Sequence, residues 1–540
     1  MFEGPELTGV EQMIWSGDLA RIGAQRHPER IALIVPDDGI SYDYAELDRR
    51  TGRVLALLAE LGLKPGDRVG YLGRNRDLYF VMLIAAMRGG YIMMPLNWRC
   101  RAPEIAYFLS DSGCRHLFRD RELSELADAA CAELTDPPAL HDTRPGEAAQ
   151  AAFANAVEQP GTTIDDAVPH GDTACMLYYT SGTSGRPKGV VSSHFAFSVM
   201  RHMEVVSPDF PVWEGETCLS AMPSFHIAGT TWPMQLFQRG STVVLTSDPS
   251  APNLVKLTRE HGASRTFAVP TVIRTMVSEV RESGLPLPTL KWFFYGAMPV
   301  GETLLRDAMN VLGCRFVQYY GMTEVTGSAT FLAPQYHDLA RPELMNSVGQ
   351  PFPGSALDIR DPDGRSLPPG EAGEIYVRTP TIMSGYWGLP EATADVFKDG
   401  WYRTGDGGRL SDEGFLFLTD RIKDMIVSGG ENIYPAEVEE VLRQHPAIKD
   451  AVLIACPDDK WGEAAVALAE VAPGATLDPA AVIAFSKTKL AGYKAPKAVH
   501  AVELLPRTAS GKLQRAQARK DFLAAQEAER EAAEPARRHG

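Results

Sequence analysis

The 540-residue chain has only seven cysteines, an odd number, widely spread and never in a C-x-x-C pair. This spacing excludes a disulfide framework and a cysteine-built zinc site, and it suits reduced thiols in a cytoplasmic protein. Long apolar runs are missing as well: none approaches the ~18 residues of a membrane span. The first residues, MFEGPELTGVEQMIW, carry acids where an export signal needs bases, so the expected location is the cytoplasm. Positive charge is in deficit, with 53 Lys and Arg against 69 Asp and Glu and a net charge of −16. Such a surface repels nucleic acid and anionic lipid, so a polyanionic ligand must find a local basic pocket. A small anion fits better than a polymer. Internal repeats and low-complexity blocks are also absent.

What is present is ordinary globular material. Hydrophobic residues make up 44% and charged residues 23% of the chain, and this length points to roughly two to four domains. DYAELDRRTGRVLALLAELG begins with Asp43 and Glu46 in capping-box spacing, carries Leu47, Val54, Leu55, Leu58 and Leu61 at helical intervals, and stops at Gly62. A Pro-Gly turn and a short strand follow, then a buried helix in LYFVMLIAAMRGG and a strand in YIMMPLN. Strand, helix, strand predicts a parallel sheet with crossovers. The weakly patterned stretch from Glu122 to Asp172 predicts a peripheral helix and a connecting loop. Near the end, a helix starting at Pro435, the strand AVLIACP, a helix near Pro479 to Leu490 and the strand AVHAVELLP make a compact α+β unit. The tail AAQEAEREAAEPARRHG has almost no core residues and is expected to fray.

One segment asks for chemistry. In YYTSGTSGRPKGVV, a strand-like CMLYY delivers Thr180, Ser181, Gly182, Thr183, Ser184 and Gly185 into a loop closed by Pro187 and Lys188. It fails the common G-x-x-x-x-G-K-[ST] pattern, because Pro187 stands five residues after Gly182 and Gly189 follows Lys188. Glycines still let backbone N–H groups converge on an anion, hydroxyls add donors, and lysine adds charge. By itself, such a run is more often a surface loop.

The run YTSGTSGRPKG closely resembles the phosphate loop of the adenylate-forming superfamily of acyl-CoA synthetases, adenylation domains and beetle luciferases. The resemblance continues in the family's order through YYGMTE (Tyr319 to Glu324), WYRTGD (Trp401 to Asp406), DRIKDMIVSGGENIYP (Asp420 to Pro435) and PRTASGKLQR (Pro506 to Arg515). Departures are small: Ser184 stands where threonine is frequent, and Gly407 where an apolar residue is. The implied fold is α/β, a large N-terminal multi-subdomain region of sheets with crossover helices plus a small β subdomain, and a smaller mobile C-terminal α+β domain. The implied boundaries are 1–420, a hinge at 421–423, a second domain at 424–522 and a flexible tail at 523–540.

The resemblance also assigns roles, each with a plainer reading beside it. Joining a carboxylate to ATP brings two anions together, so magnesium, lysine and aimed donors must offset their repulsion. Tyr320 would stack on adenine, with Gln318, Tyr319 and Gly321 beside it, Thr323 would bind the α-phosphate, and Glu324 would hold Mg²⁺ with Thr183. Taken singly, Thr-Glu is as easily a helix cap. Gly296 and Ala297, ending the strand FFYGAMP, would let a planar base or acyl group approach, although a strand followed by a turn explains them equally. Asp406 would accept the ribose hydroxyls and Arg421 would touch the same nucleotide; Asp406 alone would be a turn residue. Lys512 would bridge the attacking carboxylate and the α-phosphate, where a lone Ser-Gly-Lys is usually an exposed lysine.

Rotation about Lys423 would exchange Lys512 for the segment containing Gly429, Gly430 and Tyr434, which would line a path for CoA. His226, flanked by Phe225 and Ile227, is either a core histidine or the family's aromatic gate between acyl pocket and thiol path; the gate is preferred. Thr217 to Ser247 contains no Asp or Glu, which argues for an uncharged acyl or aryl chain. Arg265 and Arg274 are candidates for a second substrate carboxylate. The activity implied is AMP-forming ligation of a small carboxylic acid to CoA, with ATP and Mg²⁺ and with a homodimer allowed. Two rivals stay open: an adenylate former serving a carrier protein or oxidising its adenylate, and a nucleotide-binding regulator without turnover.

Overall fold

Asp43 caps the helix Tyr44–Glu60, its side chain accepting from Glu46 N at 2.8 Å, and Leu47, Val54, Leu55 and Leu58 form the buried stripe. The capping residue and periodicity give this helix its start and its inner face. The helix Asp77–Gly89 is buried along nearly its whole length, because it is apolar almost all round, and it ends at Gly90 with φ +71°. Its one long cation, Arg88, donates to Asp48 at 2.7 Å.

The computed structural model describes residues 14–166, 169, 171–180, 186–211, 213–297, 300, 302–418, 426–433, 435–506, 513 and 515–537. The chain divides into two units, one of residues 1–98, 105–180 and 189–420, the other of 99–104, 181–188 and 421–540.

The first unit carries two large sheets. One has nine strands, in the order Gln350–Pro351, Thr330–Leu332, Arg315–Tyr320, Trp292–Gly296, Arg265–Ala268, Thr217–Ser220, Thr242–Leu245, Ile31–Val35, Ile40–Asp43. Its five central pairs, from Arg315–Tyr320 to Ile31–Val35, are parallel; Thr330–Leu332 joins both its neighbours antiparallel, and Ile40–Asp43 joins Ile31–Val35 antiparallel. The other has seven strands, with Ala174–Thr180, Ile92–Pro95, Arg68–Leu72 and His116–Arg119 at its centre. One buried apolar cluster draws on both sheets and on the helices Tyr44–Glu60, Asp77–Gly89 and Ile227–Gln238, as expected where helices cover parallel sheets. A smaller five-stranded sheet, containing Ala356–Arg360, Gly373–Arg378 and the long strand Trp401–Leu410, is antiparallel throughout.

The second unit is an α+β layer. Gly462–Val471 pairs antiparallel with Ile448–Asp458 and parallel with Ala498–Val502, and the helices Pro435–Arg443 and Pro479–Lys489 supply Val438, Leu442 and Val482 to its core.

Two expectations change. The segment after Glu122 holds a strand, Ala139–Asp142, which extends the seven-stranded sheet by parallel pairing with His116–Arg119. Its sequence, ALHD, is too short and mixed to announce a strand; the neighbouring edge recruits it. The tail expected to fray continues the helix Arg515–Arg537, whose first turns pack Ala518, Phe522 and Leu523 against the second unit's core, and its Ala, Glu, Gln and Arg have high intrinsic helix propensity.

Candidate active site

Four parallel neighbours, Thr217–Ser220, Arg265–Ala268, Trp292–Gly296 and Arg315–Tyr320, end on the same edge of the nine-stranded sheet. In open α/β sheets, ligands bind outside the carboxyl ends of the strands. The segments that leave this edge carry Ser224 to His226, Pro270, Ala297 and Tyr320 to Glu324.

Tyr320 and Asp406, 86 positions apart, meet directly: the phenol donates to Asp406 Oδ2 at 2.8 Å. Asp406 sits within the Trp401–Leu410 strand, and its own N–H donates to Thr404 Oγ1 at 3.0 Å. Glu324 lies in the short 3₁₀ turn Thr323–Val325; Oε1 accepts from the Tyr386 hydroxyl at 3.1 Å, and its backbone carbonyl from Met383 N at 2.8 Å. The carboxylate is therefore held by the segment that follows the small sheet's second strand.

Backbone shape explains the glycines and one outlier. A Cβ on Gly321 would lie 1.9 Å from the Gly327 carbonyl oxygen, so the chain doubles back on itself there without room for any side chain. A Cβ on Gly296 would come within 2.7 Å of the Tyr319 carbonyl oxygen. Ala297, next in line, has φ +69°, a left-handed conformation that costs an L-residue about 1–2 kcal/mol. Strain of this kind clusters at functional sites.

Side-chain alternation along Arg315–Tyr320 sorts the neighbours of Tyr320. Gln318 is buried and accepts from the Tyr295 hydroxyl at 3.3 Å. Tyr319 points to the other face, donates to Glu204 Oε1 at 3.0 Å, and packs with Phe294 and Phe267 at centroid distances of 5.9 and 6.0 Å. Tyr319 therefore lies on the face opposite Tyr320, and Gln318 shares the face of Tyr320.

His226 is the N-cap of the helix Ile227–Gln238; its carbonyl accepts from Gly229 N and Thr230 N, and its half-buried ring lies 4.6 Å from Phe225. Thr180 closes the strand Ala174–Thr180 and Lys188 opens Lys188–Ser193. Ser181, Gly182, Thr183, Ser184, Gly185, Arg421, Lys423, Tyr434 and Lys512 lie outside the described residues. Gly429 and Gly430, with φ +61° and +84°, join the antiparallel strands Ile426–Ser428 and Glu431–Ile433. Two consecutive positive φ values make the turn that such a hairpin needs, which by itself accounts for glycine at both positions. Arg265 donates to Glu216 at 3.1 Å and Arg274 is exposed.

Sequence reasoning missed Glu204. It lies in the helix His194–Val206, three residues after the buried Arg201, is fully buried, and accepts from both Gln235 and Tyr319. Burial, opposed in part by Arg239, pushes its carboxyl up to about 7. Its signal was a lone acid inside FAFSVMRHMEVV, which reads equally as a solvated helix position.

A model of the family described as AMP-binding enzyme matches residues 21–387, and that of its C-terminal domain matches residues 437–512. The chain belongs to the AMP-binding enzyme family. This AMP-binding enzyme is 37% identical over 504 residues to a fatty acid–[acyl-carrier-protein] ligase of Streptomyces coeruleorubidus, with 92% of this chain and 95% of the relative covered. It is also 37% identical over 499 residues to a feruloyl-CoA synthase of Amycolatopsis, covering 91% and 96%. Among solved structures, o-succinylbenzoate coenzyme A synthetase of Bacillus subtilis, in complex with ATP and magnesium ion, superimposes with a TM-score of 0.67 at 29% identity, covering 93% of this chain and 98% of that one. As an adenylate-forming enzyme, the chain has the expected α/β architecture with a smaller C-terminal domain.

Proposed function

We propose that this enzyme is an AMP-forming acid–thiol ligase. A carboxylate attacks the α-phosphate of ATP to give an acyl-adenylate and pyrophosphate, and CoA then takes the acyl group and releases AMP. The observation that carries the nucleotide half is the Tyr320 to Asp406 hydrogen bond, which links the YYGMTE turn to the WYRTGD strand. With one carboxylate oxygen fixed by Tyr320, Asp406 presents an acceptor for ribose hydroxyls, while the Tyr320 ring offers a face for adenine. Gly321 and Gly296 let the backbone beside it fold this tightly.

Glu324, with Thr183 outside the described residues, is the proposed Mg²⁺ ligand. A single oriented carboxylate fits an ion that binds proteins through few carboxylates and completes its shell with phosphates and water. When bound, Mg²⁺ would neutralise charge on the phosphates. Thr323 is assigned to the α-phosphate, the 180–188 loop with Lys188 to the departing pyrophosphate, and Lys512 to the attacking carboxylate. Lys423 is assigned as the hinge, Arg421 to the nucleotide, Gly429, Gly430 and Tyr434 to CoA, and His226 to the boundary between acyl and thiol sites. The acids named for the relatives, feruloyl and fatty, put an aryl or aliphatic chain on the list of substrates. One relative of equal identity is named for an acyl-carrier-protein acceptor, so a carrier protein is the second reading for the thiol.

No helix among the described residues is long and apolar enough to cross a membrane, and we place the enzyme in the cytoplasm. A panel of carboxylic acids assayed for pyrophosphate and AMP, with CoA, with a carrier protein and with neither, tests the reading. Acid-dependent pyrophosphate release and CoA-dependent AMP release are expected. Nucleotide binding without pyrophosphate release from any acid would leave a regulator instead, and AMP release only with a carrier protein would move the acceptor.

A further inference from the structure

Behind His226, the helix Ile227–Gln238 lies against the sheet through Trp232, which is 4.8 Å from Phe294 and 6.0 Å from Phe267 between ring centroids. Trp213 joins the same aromatic box, 6.2 Å from Trp232, with the Arg239 guanidinium 4.2 Å from its ring centroid. At about 1.5 Å per residue, the helix carries Gln235 roughly 13 Å along its axis from His226. At that depth the apolar box meets a polar cluster: Glu204 accepts from Gln235 Nε2 at 2.5 Å and from the Tyr319 hydroxyl at 3.0 Å. Glu204 is fully buried and Gln235 is 3% exposed.

The cluster is not satisfied from within. Glu204 Oε2, Gln235 Oε1, Arg239 Nη2 and Trp213 Nε1 have no hydrogen-bond partner among the described residues, and neither do Nε and Nη1 of Arg201, three residues before Glu204 on the same helix. Buried polar atoms are almost always paired, and leaving them unpaired is costly. Gln235 Oε1 accepts, the arginine and tryptophan nitrogens donate, and Glu204 Oε2 accepts when ionised and can donate when protonated. A hydroxyl, which donates once and accepts, matches such a set, whereas an ammonium would be repelled by Arg239 and a methyl would leave every atom unpaired.

We propose that Glu204, Gln235 and Arg239 form a specificity site for a hydroxyl group carried at the far end of the acyl chain, with Tyr319 positioning the Glu204 carboxylate. The body of the acid would lie against this aromatic cluster, and the polar cluster would read its tip. This rests on the assignment of the space behind His226 to the acyl group. It also explains how an acyl site whose nearest sequence, Thr217 to Ser247, has no acid gains one: the helix His194–Val206 contributes it.

The test compares matched acids, 4-hydroxyaryl against unsubstituted aryl and ω-hydroxy against unsubstituted alkanoic, by pyrophosphate release from the whole enzyme. The wild type is expected to favour one hydroxylated member by about 100-fold or more in kcat/KM, since a site built to pair a hydroxyl rejects the analogue lacking it. Glu204→Leu and, independently, Gln235→Leu should bring that ratio towards one, mainly through KM of the hydroxylated acid. Glu204→Gln, which keeps an acceptor and adds a donor, should retain most of the preference. Thermal melting identifies any variant that fails to fold, and the other leucine variant then decides. Pyrophosphate release with a ratio near one for every pair overturns the specificity site alone. A leucine variant that lowers both members of a pair equally overturns it too. Absence of pyrophosphate release with every acid overturns the adenylation reading and this inference with it.

Discussion

Glutamate 204 should make the stability of the first unit depend on pH in a direction opposite to that of most carboxylates. Its carboxyl is raised from an ordinary 4.5 to about 7, chiefly by burial, with Arg239, Tyr319, Arg201 and Gln235 each pulling it partly back. The folded state therefore holds a proton that the unfolded chain has already released. The burial cost is absent below about pH 4.5, grows between 4.5 and 7, and is complete above 7, so stability contributed at this position falls as pH rises through that window. The shift corresponds to about 3 kcal/mol. Glu204→Gln preserves the shape and removes the titration. Its urea midpoint should nearly match the wild type at pH 4.5, exceed it increasingly up to about pH 7, and keep a constant lead above that. The infrared difference between wild type and variant should show a protonated-carboxyl band that disappears with a midpoint near 7. A band titrating near 4.5, or a gap between the two proteins that does not widen with pH, would refute the reasoning.

Two other perturbations address the nucleotide side. Tyr320→Phe removes the donor held by Asp406 Oδ2 at 2.8 Å; a hydrogen bond to a charged group is worth about 1.5–3 kcal/mol, so KM for ATP should rise about tenfold or more. Steady-state kinetics at saturating acid would show it, and an unchanged KM would detach Asp406 from the ribose. Gly321→Ala places a Cβ 1.9 Å from a backbone oxygen, and overpacking of this type costs about 1–3 kcal/mol. A lower melting temperature together with weaker ATP binding is expected; a variant unchanged in both would show that the Tyr320 turn tolerates the bulk.

Much of this site was legible along the chain because its parts are contiguous. Tyr320, Gly321, Thr323 and Glu324 lie within one turn, and a glycine against a backbone oxygen leaves a residue type that sequence displays directly. The Asp43 cap and the apolar helix Asp77–Gly89 were readable for the same reason, since capping and burial all round are local properties of sequence. The strand Ala139–Asp142 was not readable, because four mixed residues become a strand only when an open parallel edge is offered to them.

Sequence alone determined the alternating α/β order, the nucleotide-site motifs and the lack of any acid between Thr217 and Ser247. Tertiary structure decided which face each strand residue takes: Tyr319 and Tyr320 are adjacent, yet one is bonded to Glu204 and the other to Asp406. It also decided that Glu204, Gln235 and Arg239, drawn from one helix and from the end and C-cap of another, share one buried cluster. A hydrogen bond across 115 positions, such as that from Tyr319 to Glu204, leaves no local periodicity to read. It exists only because helices packed on a sheet bring their inward faces together.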